Sequence, residues 1–446
     1  MKINKFLFCG IFLFGIISAK AQQKTNLSVK AAVEMAISKS NAVHLAKTKV
    51  ATSSYELQST KNNQYPDFKL SGQYLRLTNA DIKLKSSEES APDPNAEPAS
   101  SPSVNQLILG QANLTMPIFS GFKLKNTVKA SENLYKSEQA NAEFTSEQTA
   151  MQVIEHYAEL YKVQKSIELL NESLKSSKQR VTDFTDMEQN GLIARNDLLK
   201  SQLQVSRIQL SLDEAEKNER VINYNLITLL KLPAETKIGV TPDNISGDLF
   251  ATPLKTESEA LENRKDLEAL QFAEKASDYN IKAVKGGYLP SLSLVGGYTA
   301  LDLQNVVRVT NAVNFGVGLS YNVSSIFKNG KDVKVAKSRA EELHQQQMLL
   351  TDRIKSEIVM AKENYELSIK QNKLYNEAVA QADENYRIVK DKYDNGLSNT
   401  NDLLEADVED LTAKINVAYA QANMALKFYE LLEASGILTQ SFNLSK

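Results

Sequence analysis

Cysteine, histidine and tryptophan are nearly missing from this chain: of 446 residues one is Cys, three are His and none is Trp. That leaves little material for a zinc site, a disulfide framework or a thiol mechanism. Glycine is sparse, at 17, and proline is both scarce and unevenly placed. The ten prolines fall at 66, 92, 94, 98, 102, 117, 233, 242, 253 and 290, so none lies between 118 and 232 and none after 290. Two long proline-free tracts rich in Ala, Leu, Lys, Glu, Gln and Ser are at odds with a sheet-rich globular enzyme and read as very long helices. An excess of one charge is also lacking: 52 Lys plus Arg face 54 Asp plus Glu, for a net charge of -2. Without a large basic block there is no electrostatic footprint for nucleic acid. Beyond residue 21 no stretch approaches the ~18 uninterrupted apolar residues of a membrane-spanning helix.

The first 21 residues have a different character. Lys2 and Lys5 precede the apolar run Phe6 to Ile17, and Ala19-Lys20-Ala21 has the small-x-small form of a cleavage site. This reads as a secretory signal in preference to a membrane anchor, since about a dozen apolar residues are few against the ~20 of a span. Cleavage there removes Cys9, the only cysteine, and leaves an exported protein that depends on packing or assembly for its stability.

The rest is an internal duplication. Gly191-Leu-Ile-Ala-Arg-Asn-Asp-Leu-Leu199 returns as Gly396-Leu-Ser-Asn-Thr-Asn-Asp-Leu-Leu404, 205 residues later. Tyr65-Pro66-Asp-Phe-Lys-Leu-Ser-Gly72 likewise returns as Leu289-Pro290-Ser-Leu-Ser-Leu-Val-Gly296, 224 residues later. The first copy is therefore longer between these landmarks. The insertion is the Pro- and Ser-rich segment 83–105, which has the composition of a solvated loop. The expected plan is a first repeat at 22–235, a linker at 236–255, a second repeat at 256–436 and a tail at 437–446.

Each copy opens with a helix, about 28–64 and 256–286, followed by a β-hairpin, 67–116 and 291–322. In 67–77, Phe68, Leu70, Gly72 and Tyr74 share one face and Lys69, Ser71 and Gln73 the other; 106–116 alternates in the same way. Copy two repeats this with Leu292, Leu294, Gly296 and Tyr298, then Val313, Phe315, Val317, Leu319 and Tyr321. Such alternation marks a barrel strand with lipid on one side and water on the other, although a soluble hairpin gives the same pattern. Next come a very long helix, 123–188 and 331–393, the Gly-Leu-x-x-x-Asn-Asp turn, and a return helix, 197–231 and 402–434. At ~1.5 Å per residue the longest helices reach roughly 90 to 100 Å, several bilayer thicknesses, and must stand in water. Leu404, Val408, Leu411, Ile415, Ala418, Ala422, Ala425, Tyr429 and Leu432 step by four and three, as does Val205, Ile208, Leu212, Ala215 in copy one. That is a coiled-coil seam.

Four strands cannot close a membrane barrel, because open edges in hydrocarbon leave backbone groups unpaired; several chains must pool their hairpins. The signal segment, the start Leu27-Ser28-x-x-x-Ala-Val, Met116-Pro117-Ile-Phe-Ser-Gly121 and Ile326-Phe327-x-Asn-Gly330 after the hairpins, and the two Gly-Leu-x-x-x-Asn-Asp-Leu-Leu turns together resemble the TolC-like outer-membrane efflux proteins. The match runs from about 27 to 436. The resemblance implies a mainly α fold with membrane β-hairpins. Coiled-coil helical hairpins would form an α-barrel, and four strands per chain would be pooled into a trimeric twelve-stranded β-barrel. It implies an exit duct in the cell outer membrane, reaching into the periplasm, without cofactor, metal site or enzymatic activity. As partners it implies a homotrimer, outer-membrane lipid, a periplasmic adaptor and an inner-membrane efflux pump or ABC exporter.

The resemblance also places an acidic ring at the periplasmic entrance on Asp402 and Glu405, where carboxylates attract cations and resist closure. The same pair, three residues apart, reads as a helix N-cap box, and the two roles are compatible. Tyr393 falls where the family latches the closed state, with Asp197 as its candidate partner; Ser398 stands where a basic residue contributes, and Arg195 in the other turn is the substitute. A plain surface role for Tyr393 fits as well. Gly191 and Gly396 supply left-handed turn geometry, and Leu192 and Leu397 beside them are candidate anchors for an adaptor. The rival to a duct is a soluble periplasmic coiled-coil scaffold or adaptor whose hairpins form a small sheet.

Overall fold

The computed structural model of the protein describes residues 24–80, 104–240 and 256–442. The signal segment 1–21, nearly all of the loop 83–105 and most of the linker 236–255 lie outside the described residues. In chain order the elements are β1 (Lys24–Asn26), α1 (Val29–Lys39), α2 (Asn41–Asn62), β2 (Asp67–Ala80), β3 (Val104–Ser120), α3 (Lys123–Gln189), α4 (Arg195–Leu230) and β4 (Lys237–Gly239). The second copy supplies α5 (Glu257–Asn263), α6 (Lys265–Lys285), β5 (Ser291–Leu303), β6 (Val307–Ser320), α7 (Ser325–Asp394) and α8 (Thr400–Ala434), and α9 (Leu438–Ser441) follows.

Two compact units share these elements, and they cut across the two sequence repeats. One comprises His44–Thr145 and Thr256–Glu357; the other comprises the described residues of Met1–Val43, Ser146–Lys255 and Ile358–Lys446.

The unit built from 44–145 and 256–357 holds the four-stranded sheet, in the order β2-β3-β5-β6 with every neighbouring pair antiparallel. The register aligns the apolar faces of both hairpins. Leu70 sits opposite Ala112, Ala112 opposite Tyr298 and Tyr298 opposite Val313. Phe68, Leu114, Gly296 and Phe315 form the neighbouring row. This face is bare, with Phe315 92% exposed and Leu70 80%. Lys69, Asn113, Gly297 and Asn314 form a row on the opposite, polar face. The strands are longer than expected from sequence: β2 runs on to Ala80, β3 to Ser120, and β6 starts at Val307 instead of 313. At ~3.3 Å per residue and a ~45° tilt, 13 or 14 residues cover a bilayer.

The expected helix at 256–286 is two helices. Arg264 interrupts it with extended backbone, its guanidinium forked onto Asp266 at 2.9 and 2.7 Å and bonded to Glu357 at 2.9 Å. Burial works against the charge, but the hydrogen bonds and charges of Asp266 and Glu357 outweigh it and hold Arg264 well above the usual arginine range. The expected helix at 28–64 breaks similarly at Ser40, whose extended backbone ends α1 while its hydroxyl accepts from Val43 N at 3.3 Å.

The second unit is centred on Tyr157, Leu160, Leu226, Leu230, Phe428 and Tyr429. Tyr157 donates its hydroxyl to Leu27 O at 2.5 Å, and Tyr429 stacks on Phe442 at 5.7 Å. Residues 437–442 are packed in place: Ile437, Leu438 and Phe442 are buried in this core. Nor is the linker free at its start, since β4 pairs in parallel with β1 and Asn223 brackets it, donating to Thr236 O and accepting from Ile238 N, each at 2.9 Å. The coiled-coil seam forms as its spacing predicts. Leu170 and Leu174 pack on Ile208 and Leu212 with Val205, Ala215 and Leu411 against them. Ala418, Ala422 and Ala425 are buried along α8, whereas Val408 is half exposed.

Candidate functional site

The two turns joining α3 to α4 and α7 to α8 share one geometry. Leu192 N donates to Met187 O at 2.8 Å and Gly191 N to Glu188 O at 2.9 Å; Leu397 N donates to Lys392 O at 2.8 Å and Gly396 N to Tyr393 O at 2.9 Å. This pairing of a six-residue and a four-residue closure needs a left-handed residue just past the helix, and Gly191 (φ 72) and Gly396 (φ 73) provide it. Each closure projects the following leucine outward, with Leu192 71% and Leu397 77% exposed.

The starts of the return helices differ. Ala194 precedes α4 without a side-chain cap, whereas Asn399 caps α8 by accepting from Asp402 N at 3.1 Å. The expected box running from Asp402 to Glu405 is therefore shifted by three residues: the cap is Asn399 and Asp402 lies inside the first turn. The Asp402 carboxylate accepts from Ser398 Oγ and Asn399 Nδ2, both at 3.0 Å. Ser398 thus orients the acidic group in place of contributing a charge. Glu405, one turn on, is exposed.

Tyr393 points inward within the chain. Its ring stacks on Phe184 at 5.8 Å, in a small core with Leu198 and Leu403. A cleft of about 490 Å³ brings Tyr393, Asp197, Leu192 and Gly396 together with Ser398 and Lys200. Asp197 itself pairs with Lys200 at 3.5 Å, and Arg195 with Glu188 at 3.6 Å. Of the candidate latch residues, Tyr393 and Asp197 therefore line one cleft and Arg195 does not, while Asp197 and Arg195 are both paired locally in the single chain.

Above this core lies a polar cluster that the sequence reading missed. Arg180 Nη1 donates to Asp407 Oδ2 at 2.9 Å, Gln204 Nε2 to the same oxygen at 2.8 Å, and Arg180 Nη2 to Tyr386 Oη at 3.2 Å. One side chain comes from each of α3, α8, α4 and α7, so the cluster ties all four helices. Burial opposes the Arg180 charge, but the hydrogen bond and charge of Asp407 prevail and raise its pKa. No local motif betrays it, because Arg180 and Asp407 are 227 residues apart.

Among the described residues no group of three or more His, Cys, Asp or Glu could hold a metal ion, and no helix is long and apolar enough to cross a membrane. His344 Nδ1 lies 2.9 Å from Glu274 on an exposed helix face, and the part-buried His156 Nδ1 lies 3.6 Å from Glu159.

A bare apolar sheet face, open sheet edges and twinned helical hairpins with left-handed glycine turns now stand together. The family profile described as outer membrane efflux protein matches residues 32–230 and 257–436. The chain belongs to that family. It is an outer-membrane exit duct of an efflux system, which sets aside the soluble-scaffold reading.

Among curated relatives, the efflux protein is 21% identical over 329 residues to the outer membrane efflux protein BepC of Brucella suis, covering 73% of this chain and 71% of that one. Solved structures share the fold. The Campylobacter jejuni outer-membrane channel CmeC superposes with a TM-score of 0.76 at 18% identity, over 98% of this chain and 94% of that one. CusC gives 0.79 at 16% identity over 93% of each chain. The Vibrio cholerae outer membrane protein VceC gives 0.74 at 15% identity over 92% and 96%.

Proposed function

We propose that three copies of the efflux protein close their sheets into one twelve-stranded barrel, and that the helical hairpins continue it as a passive conduit gated at the two glycine turns. The carrying observation is the pair of open edges. β2 and β6 are the end strands of the four-stranded sheet. In hydrocarbon each unpaired backbone group costs several kcal/mol, so an open edge is untenable. Pairing β6 of one copy with β2 of the next is head-to-tail, and such contacts end either in a ring or in an endless filament. Three copies satisfy the minimum of about eight strands for a bacterial barrel.

At the far end, three copies bring their Asp402 and Glu405 carboxylates around one axis, where they draw cations in and oppose full closure. Tyr393, Asp197 and Arg195 act as the latch: opening separates the cleft that Tyr393 and Asp197 line together. Leu192 and Leu397 are the apolar anchors offered to a periplasmic adaptor, which couples the duct to an inner-membrane pump or ABC exporter. The duct itself supplies no energy, and the pump selects the cargo.

Planar-bilayer recording tests the charged entrance. Asp402→Ala with Glu405→Ala is expected to reduce cation selectivity and weaken block by multivalent cations. Unchanged selectivity leaves the two residues with a structural role in the α8 start only.

A further inference from the structure

The chain as a whole is almost neutral, but three segments are not. Residues 123–136, 275–285 and 325–339 together contain twelve Lys or Arg and only three Asp or Glu. They are far apart in sequence and so form no basic block there. The fold gathers them in one unit, at the end of the sheet where the strands meet the helices. The backbones at Gly121 and Gly286 touch so closely that a Cβ on Gly121 would lie 2.3 Å from Gly286 O. Asn329 Nδ2 donates to Val284 O at 3.0 Å, which docks the start of α7 on the end of α6.

These cations are not neutralised by the protein. Among the described residues no carboxylate pairs with Lys123, Lys125, Lys282, Lys285, Lys328 or Lys331, and all six are exposed. Like charges are even brought together: Lys129 and Lys282 both sit over the Tyr279 ring, at 5.2 and 4.8 Å, and Lys136 and Lys275 over Phe272, at 5.7 and 5.1 Å. The rings offset part of that repulsion. An anion outside the chain would offset the rest.

The apolar surroundings say which anion. Phe327 is 84% exposed and Phe122 55%, each at the point where its strand becomes a helix. Phe327 follows the exposed Phe315, Val317 and Leu319 along the chain, and Phe122 follows the exposed Ile118; exposed aromatic rings at the ends of barrel strands mark a bilayer interface. Lys123, Lys125, Lys328 and Lys331 follow within two turns, about 10 Å of helix, which matches the headgroup layer.

We propose that this lysine collar binds the phosphate headgroups of acidic phospholipids in the periplasm-facing leaflet. The inference rests on the outer-membrane placement of the sheet. The exposed rings lie in the acyl boundary, and the lysines extend along them to the phosphates. Each chain thereby carries a site selective for phosphatidylglycerol-type lipids over zwitterionic ones, and the site is weakened by salt.

The test uses the full chain reconstituted in vesicles of phosphatidylethanolamine, alone or doped with phosphatidylglycerol. Spin-labelled forms of both lipids report the fraction held at the protein surface. The expected result is a preference of at least about threefold for phosphatidylglycerol, falling with salt. It should drop to parity when the six named lysines are changed to Gln (Lys123→Gln and its five counterparts) and persist when they are changed to Arg. A preference for phosphatidylglycerol that survives undiminished in the Gln variant overturns the proposal, as does displacement of the labelled lipid by free glycerol phosphate. Insertion into vesicles of phosphatidylethanolamine alone is scored separately. A protein that inserts but shows no lipid preference defeats the collar and leaves the channel standing, whereas one that inserts into neither vesicle defeats both.

Discussion

Changing Arg180 to Met removes the one cation of the buried cluster that joins the four helices near the turns. Side-chain exposure is 10% for Arg180 and 13% for Asp407, so little solvent screening has to be discounted. The variant leaves Asp407 with a single donor, Gln204 at 2.8 Å, and leaves Tyr386 Oη without its guanidinium partner. Breaking one member of a buried ion pair costs about 3–5 kcal/mol, and the surviving Gln204 bond argues for the lower end, ~3 kcal/mol. That corresponds to roughly a hundredfold rise in local opening at ~1.4 kcal/mol per decade. Hydrogen exchange measures this directly, since amides open with the free energy of their own region. Amides in 178–206 and 384–410 should exchange about a hundred times faster, while those around Tyr157 should be unchanged. Replacing both partners, Arg180→Met with Asp407→Leu, leaves no buried charge and should restore most of the protection. A single variant within about twofold of the parent would refute the reasoning, as would a double variant showing the sum of both losses.

Gly396→Ala forces a Cβ into the left-handed region with no neighbour within 4 Å to clash, so its cost is purely conformational, about 1–2 kcal/mol. It should appear as faster exchange of the second turn with no change in the sheet; no local effect would mean that the turn does not require φ 73. A pH prediction follows from Tyr429, whose phenol is pushed well above its ordinary value by burial and then by Tyr157. Because the folded pKa is raised, this contribution to stability is complete below the unfolded value of about 10 and is lost as pH rises beyond it. Thermal stability should therefore fall above about pH 10, less so in Tyr429→Phe; identical alkaline profiles would rule the residue out.

Local chemistry was the legible part of this molecule. Period-two alternation placed the four strands on their faces, and the register then aligned Leu70, Ala112, Tyr298 and Val313 as the alternation required. The glycine turns were readable because a left-handed residue after a long helix has few sequence solutions. Breaks and caps were less visible. Ser40 is a familiar capping residue, but Arg264 ends a helix only because Asp266 and Glu357 hold its guanidinium. Asp402 carries the sequence signature of a cap, yet Asn399 three residues earlier takes that place, since both residue types cap well and the turn decides which is positioned. The Arg180–Asp407 cluster and the lysine collar were invisible for one shared reason. Each is assembled from segments far apart in the chain, and neither leaves a local pattern.

Edge pairing between copies can be read most directly by cysteine cross-linking in intact outer membranes, because Cys9 is the only cysteine in the sequence. Ser71→Cys or Gln73→Cys on the β2 edge is combined with Asn314→Cys or Gly316→Cys on the β6 edge and oxidised. Closure of three sheets into one barrel predicts that a pair in register gives a ladder ending at the trimer, while each single variant stays monomeric on denaturing gels. A ladder continuing past three, or no cross-link for any pair along the two edges, would contradict it.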